Sequence, residues 1–308
     1  MRIALIGQSA FGEAVLRALV ERGEEVVGVF SPPQAEGRPP DPVVTAAAEA
    51  DIGVHQFGRM RDADAIAAFH GLSADLGVMA FVTDIVPDQI LQDPKLGTIQ
   101  YHPSLLPLHR GPSSINWAVI QGDATTGLTI FWPDKGLDTG PVLLQKQVEI
   151  DPNDTTGSLY FEKLFPMGVE AMVESVALVR EGTAPRVEQD HSAATYESWC
   201  KASDVTIDWG NPVGDLHNLI RGSDPSPGSG TIFEGSEIRF YRTTRHDKVT
   251  GSTAGEIVSV DESGFTVAAL GGSLNVRRVK PAGQKKLAAA EWAEAVGLRP
   301  GDRFGAKV

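Results

Sequence analysis

Several things are scarce in this sequence, and each shortage narrows what the chain can be. There is one cysteine, Cys200, among 308 residues. That excludes an intramolecular disulfide or a cysteine-cluster metal site, and it suits a reducing compartment, so a cytoplasmic location is expected. No run of about 18 apolar residues occurs, and no membrane span is expected. The opening MRIALIGQSAFG has neither the basic region nor the long apolar core of a leader peptide, and it reads as a first strand with its turn. Cationic residues are outnumbered: 27 Lys and Arg face 40 Asp and Glu, a formal net charge of −13. A sequence-independent grip on nucleic acid rests on phosphate neutralisation, so nucleic acid is not an expected partner. The leading candidate for a local basic patch is Arg277, Arg278, Lys280, Lys285 and Lys286. It reads most simply as a solvated strand and turn.

A dinucleotide fingerprint is missing too. GQSAFG, residues 7–12, follows a strand and opens a helix, where such a site would sit. Ser9 stands where GxGxxG needs its second glycine, no Lys-Ser/Thr follows Gly12, and SPPQ occupies the region of the acidic ribose anchor. The stretch therefore reads as a tight strand-to-helix turn, and NAD is not expected as a cofactor.

What is present is ordered. RIALIG, EVVGVFS, DLGVMAF and LGTIQYH are short apolar runs, separated by the helical patterns FGEAVLRALVERG, VVTAAAEADI, ADAIAAFHGL and VPDQILQDPKL. Strands alternating with helices of this length imply βαβ units and a mostly parallel sheet covered on both faces, an α/β architecture. After about residue 203 the pattern changes. IRFYRTT and GEIVSVDESGFTVAALGGSLNVRRVKP are short alternating strands with Gly-rich turns, the mark of a small β-barrel or sandwich. Two domains are expected, 1–203 and 204–308.

The chemistry concentrates in TIQYHPSLLPLHRGPSSINWAV, residues 98–119. A strand that ends in a loop places its last side chains at the carboxyl edge of the sheet, where open α/β sheets bind ligands. His102 there is a natural proton carrier near neutral pH. Its candidate partner is Asp138 in GLDTG, residues 136–140, between two glycines. A carboxylate beside an imidazole raises its pKa and orients the ring.

HPSLLPLHRG followed by LDTGPVLLQ resembles the signature of the 10-formyltetrahydrofolate-dependent formyltransferase family, His-x-Ser-Leu-Leu-Pro-x-x-Arg-Gly with a later Asp-x-Gly. GDLHNLIRGSDPSPGSGTIFEG and KPAGQKKLAAAEWAEAVGLRPGDRFG are similar to the start and tail of its C-terminal domain, so the likeness covers nearly the whole chain. It implies a Rossmann-like domain followed by an OB-like barrel. It also implies a reaction that takes formyl from 10-formyltetrahydrofolate, by acid–base work at His102 and Asp138 and without a metal. Asp84, Ile85 and Val86 correspond to the family's folate-contacting loop, while Ser104, Arg110 and Gly111 shape the catalytic loop or touch substrate. The family usually has asparagine two residues before the histidine, where it holds the formyl oxygen. This chain has Gln100. The same departure occurs in the hydrolase domain of 10-formyltetrahydrofolate dehydrogenases, which IALIGQSAFG, SSINW and GLDTGPVLLQK also resemble.

Hydrolysis of 10-formyltetrahydrofolate is the leading expectation, with a small amine as an alternative acceptor. No segment of these 308 residues corresponds to the carrier or aldehyde dehydrogenase portions of those proteins, so dehydrogenase activity is not expected of them. Transfer to methionyl-tRNA is a second reading. The basic loop that would grip tRNA is represented by SPPQAEGRPPDPVV, with Arg38 set against Glu36 and Asp41. Formylation of an amino sugar is a third, and a folate-binding module with weakened catalysis is a fourth. A complete His102–Asp138 pair speaks against that last one.

Overall fold

Seven of the apolar runs become strands of one sheet: β1 (Arg2–Gly7), β2 (Glu25–Ser31), β3 (Val54–Gln56), β4 (Leu76–Ala80), β5 (Thr98–His102), β6 (Thr125–Phe131) and β7 (Val142–Glu149). This is seen in a computed structural model that describes residues 1–305. The spatial order is β3-β2-β1-β4-β5-β6-β7. The first five strands run parallel, and β6 turns back antiparallel to β5. The mostly parallel α/β sheet expected from the strand–helix alternation is what forms.

Two clusters cover its faces. Helices Ser9–Glu21 and Phe165–Glu181 pack on one side, where Phe11, Val15, Met172 and Val176 meet Ile99 and Tyr101 of β5. On the other side Phe69 of helix Ala63–Gly71 and Ile90 of Asp88–Leu91 cover Ile6, Phe30 and Met79. Side chains alternate along a strand. With Ile99 and Tyr101 committed to one face, Gln100 and His102 share the other, and Gln100 is in register with Met79 of β4.

GQSAFG is the close-packed turn its composition predicts. A Cβ on Gly7 would lie 2.7 Å from the Ala80 carbonyl oxygen, so only glycine lets β1 run this near β4. The N-terminal amide of the following helix is engaged by protein: Ser9 N–H donates to both carboxylate oxygens of Asp41, at 2.8 and 3.0 Å. Asp41 also caps its own helix, Pro42–Glu49, by accepting from Val43 N–H.

This unit comprises Met1–Pro112, Gly127–Val148 and Glu162–Tyr196. A second unit gathers Ser113–Thr126, Glu149–Phe161 and the residues from Glu197 on. Its antiparallel sheet contains β8 (Ser229–Phe233), β9 (Ser236–His246), β10 (Ile257–Asp261), β11 (Gly264–Ala269) and β12 (Gly272–Pro281), in the order β10-β11-β12-β9-β8, with β13 (Leu287–Ala288) on β12. An aromatic core of Trp209, Phe233, Phe240, Phe265, Trp292 and Phe304 fills this small barrel-like domain. No helix among the described residues is long and apolar enough to cross a membrane.

Candidate active site

β5 delivers His102 as its last residue, and the chain then makes a loop pinned by side chains rather than by regular structure. Ser104 is fully buried; its hydroxyl donates to Leu108 O at 2.6 Å and its carbonyl accepts from Thr129 Oγ1 at 2.7 Å. Leu106 N–H donates to the same Thr129 oxygen, and Gln145 Nε2 donates to Leu106 O. His109 has a positive φ of 54°, and its N–H donates to Thr195 Oγ1. The loop is thus a shaped wall, and Ser104 serves its shape.

His102 Nε2 lies 2.9 Å from His109 O. A carbonyl can only accept, so this nitrogen carries the hydrogen and the neutral ring exposes a lone pair at Nδ1. That Nδ1 faces Asp138 Oδ2 at 3.6 Å. The gap is too long for a hydrogen bond and short enough for an ion pair once the ring takes a proton. Both side chains are about 7% exposed. The arrangement suits a base whose protonated form is stabilised by a waiting carboxylate.

Asp138 is held from two sides. It occupies the left-handed region, with φ of 56°, in the turn between β6 and β7. Its Oδ2 accepts from Gly111 N–H at 2.8 Å, which gives Gly111, itself at φ of 109°, a specific task. Behind it Gln189 Nε2 donates to Asp138 O and Gly140 O, at 3.0 and 2.7 Å.

Arg110 points into the protein. It is 1% exposed, and its guanidinium donates to Gln189 Oε1 through both Nε and Nη2, and to the Tyr196 hydroxyl through Nη1, with Nη2 also 3.0 Å from His191 Nδ1. The fork is satisfied by neighbours and braces the turn that carries Asp138. Gln189, His191, Thr195 and Tyr196 have no motif in the sequence. Their only advance signal is polarity in EQDHSAATY, after the helix that ends at Glu181.

Gln100 is half-buried, and its amide makes no hydrogen bond among the described residues. It shares its face of β5 with His102, next to Met79 on one side and Phe131 on the other. The loop after β4 leaves the same edge of the sheet. There Asp84 Oδ2 accepts from Met60 N–H at 2.7 Å, Val86 is buried, and Ile85 is 78% exposed. The loop therefore offers Ile85 outward, and ties one oxygen of the exposed Asp84 carboxylate to the Met60 amide.

Residues 1–176 match the formyl transferase family model, and 200–297 match the formyl transferase C-terminal domain. The chain belongs to the formyl transferase family. The resemblance carried by HPSLLPLHRG and LDTG is thereby borne out, and with it the expectation of an enzyme. The cytosolic 10-formyltetrahydrofolate dehydrogenase of Xenopus laevis is 44% identical over 246 residues, which is 78% of this chain and 27% of that protein. This formyl transferase chain thus spans about a quarter of the length of those dehydrogenase relatives. The methionyl-tRNA formyltransferase of Geobacter sulfurreducens is 35% identical over 312 residues, covering 99% of this chain and 97% of that one. Two solved structures share the fold. HypX from Aquifex aeolicus, in complex with tetrahydrofolic acid, has a TM-score of 0.70 at 17% identity, over 95% of this chain and 47% of that one. An N-formyltransferase from Helicobacter canadensis, with folinic acid and dTDP-3-aminofucose, has a TM-score of 0.68 at 16% identity, over 92% and 99%.

Proposed function

We propose that this chain removes the formyl group of 10-formyltetrahydrofolate and gives it to water, or to a small amine, releasing tetrahydrofolate. The observation that carries the reading is the buried His102–Asp138 pair with a free Nδ1 between them, beside a Gln100 amide that lacks a protein partner. Water attacks the formyl carbon and passes its proton to His102 Nδ1. Asp138 stabilises the imidazolium, and the Gln100 NH₂ donates to the oxygen as it becomes an oxyanion. The C–N10 bond then breaks, N10 takes the proton back from His102, and formate leaves. The pterin lies against the loop of Asp84, Ile85 and Val86, contacting the Ile85 side chain and backbone groups. Arg110, Ser104 and Gly111 hold the loop and the Asp138 turn in place.

Resemblance to the dehydrogenase relatives, together with glutamine at position 100, favours water over an amine. A second reading, formylation of methionyl-tRNA, draws on the end-to-end match with the Geobacter protein. The net charge of −13 counts against it. Tetrahydrofolate formation from 10-formyltetrahydrofolate should be followed alone, with amino sugars, and with methionyl-tRNA. Formate release with no acceptor supports hydrolysis. Turnover only with tRNA supports the second reading, and no turnover under any condition overturns both.

A further inference from the structure

The second unit contains a cavity of about 460 Å³ into which four arginines reach, Arg221, Arg242, Arg277 and Arg278, with Asn153 and Thr244 in its wall. Arg221 is the one of the four engaged through more than one guanidinium nitrogen among the described residues. It is buried and donates to Asn218 Oδ1, Asp151 O and Asp154 O, with the Asp154 carboxylate close by. The other three form no ion pair with a carboxylate among the described residues. Arg278 donates weakly to Lys286 O at 3.3 Å, and its Nε is buried with no hydrogen-bond partner. Arg242 is held at a positive φ of 50°, its backbone N–H donating to Asp224 Oδ2.

Buried guanidinium donors are normally satisfied, and like charges are normally spread apart. Here four arginines line one concave, polar space; Arg278 is half-buried with an orphaned Nε, while Arg242 and Arg277 are exposed at its rim and Arg277 also feels the Asp261 carboxylate. Lys286 registers the crowding. Burial depresses its ammonium pKa, and Arg278 and Arg242 depress it further, while Asp224 at 3.6 Å opposes both. Exposed or half-buried, these side chains line a common cavity of the size that holds a small ligand.

We propose that this cavity is a binding site for a compact phosphate-type polyanion, the di- or triphosphate group of a small molecule. Guanidinium forks match phosphate oxygens two bonds at a time, and three of them with an orphaned Nε satisfy a group carrying several charges. RNA is the less suitable occupant. The arginines line a pocket instead of an extended stripe, the Asp154 carboxylate acts on Arg221 and Asp224 stands 3.6 Å from Lys286, and the whole chain carries −13. The proposal stands apart from the formyl-transfer reading and does not depend on it.

The test is calorimetric titration of the full chain with tripolyphosphate at low ionic strength, beside citrate and a short RNA hairpin. Tripolyphosphate should bind in the micromolar range, with citrate at least about tenfold weaker because carboxylates are a poorer geometric match. The double substitution Arg277→Gln, Arg278→Gln should weaken tripolyphosphate at least about tenfold, and Arg22→Gln, an exposed arginine of the other unit, should change nothing. If the double variant melts early, Arg277→Gln alone carries the test, because that side chain is exposed, and a loss of about threefold or more is expected. Absence of tripolyphosphate binding overturns the proposal. So do equal affinity for citrate, RNA binding tighter than tripolyphosphate, or affinity unmoved by the arginine substitutions.

Discussion

His102 Nδ1 faces Asp138 Oδ2 at 3.6 Å, while the other ring nitrogen of His102 is committed to His109 O at 2.9 Å. The two acceptors oppose each other across a gap that one proton turns into an ion pair. The backbone bond at Nε2 selects the tautomer, so the site holds an open base without any rotation of the ring.

Replacing His102 by alanine or Asp138 by asparagine should each lower formyl release at least about a hundredfold, the usual scale for a positioned acid–base group. Asparagine tolerates the left-handed backbone of position 138, and its amide still has an oxygen for Gly111 N–H. The Asp138→Asn loss should therefore appear in kcat with the melting temperature almost unchanged. Wild-type turnover in either variant removes the pair from the reaction.

Arg110→Leu tests the brace behind the site. It strips partners from the buried Gln189 Oε1 and from the hydroxyl of Tyr196, which is itself 56% exposed. Leaving the buried Gln189 oxygen without its donors costs about 1–3 kcal/mol, read as a lower denaturant midpoint. Arg110→Lys should recover little of it, because an ammonium cannot reproduce the fork that serves Gln189 and Tyr196 together. Full stability in Arg110→Leu would show that the network is dispensable.

The residues near one another in sequence were the legible ones. Period-2 alternation in TIQYH puts Gln100 and His102 on one face, and the β–α spacing places that strand in a parallel sheet. Asp138 could be nominated because two glycines flank it. What pattern cannot show is the strap of Gln189, His191, Thr195 and Tyr196, which pairs with Arg110 or His109 across 79 to 86 residues. Such contacts have no periodicity and no conformational signature; they follow from where the chain returns after its last helix. The direction of Asp84 was hidden for a related reason, since its carboxylate bonds a backbone amide 24 residues away.

Acid should destabilise the second unit through His217. Burial pushes its imidazole down to about 4, while Nε2–H donates to Pro152 O and Nδ1 accepts from the Thr243 hydroxyl. Unfolded, the ring titrates near its ordinary 6.5. The unfolded chain therefore binds more protons between those values. The stability contributed by the neutral ring is complete above about 6.5 and is lost as pH falls toward about 4, by on the order of 2–3 kcal/mol. His217→Gln should flatten that part of the stability–pH curve in urea titrations. An identical slope in the variant assigns the acid sensitivity to other groups.

NAD and NADP should neither shift the melting temperature nor change turnover. The helix N-terminus after β1, the usual seat of a pyrophosphate, has its Ser9 amide bonded to the Asp41 carboxylate. A bound dinucleotide would have to displace an anion that also caps the neighbouring helix. A clear thermal shift with sub-millimolar NADP would contradict this.

Gln100 stands where the family usually has asparagine. If its amide donates to the developing oxyanion, Gln100→Leu removes the donor while keeping the bulk. The loss then falls on kcat by roughly a hundredfold or more, the scale of a preorganised donor in a dry site, because the contact strengthens only in the transition state. Neighbouring Met79 and Phe131 offer the glutamine no competing polar group. Gln100→Asn retains the amide but shortens its arm by a methylene, toward the length usual in the family. A formyl oxygen held at that position favours an amine that is itself positioned over water that is not. The ratio of amine transfer to hydrolysis should then rise, even if total turnover falls. Steady-state kinetics on both variants, with and without amine, measures the two effects separately. A kcat within a few-fold of wild type in Gln100→Leu would reduce residue 100 to a spacer and leave the oxyanion to another donor.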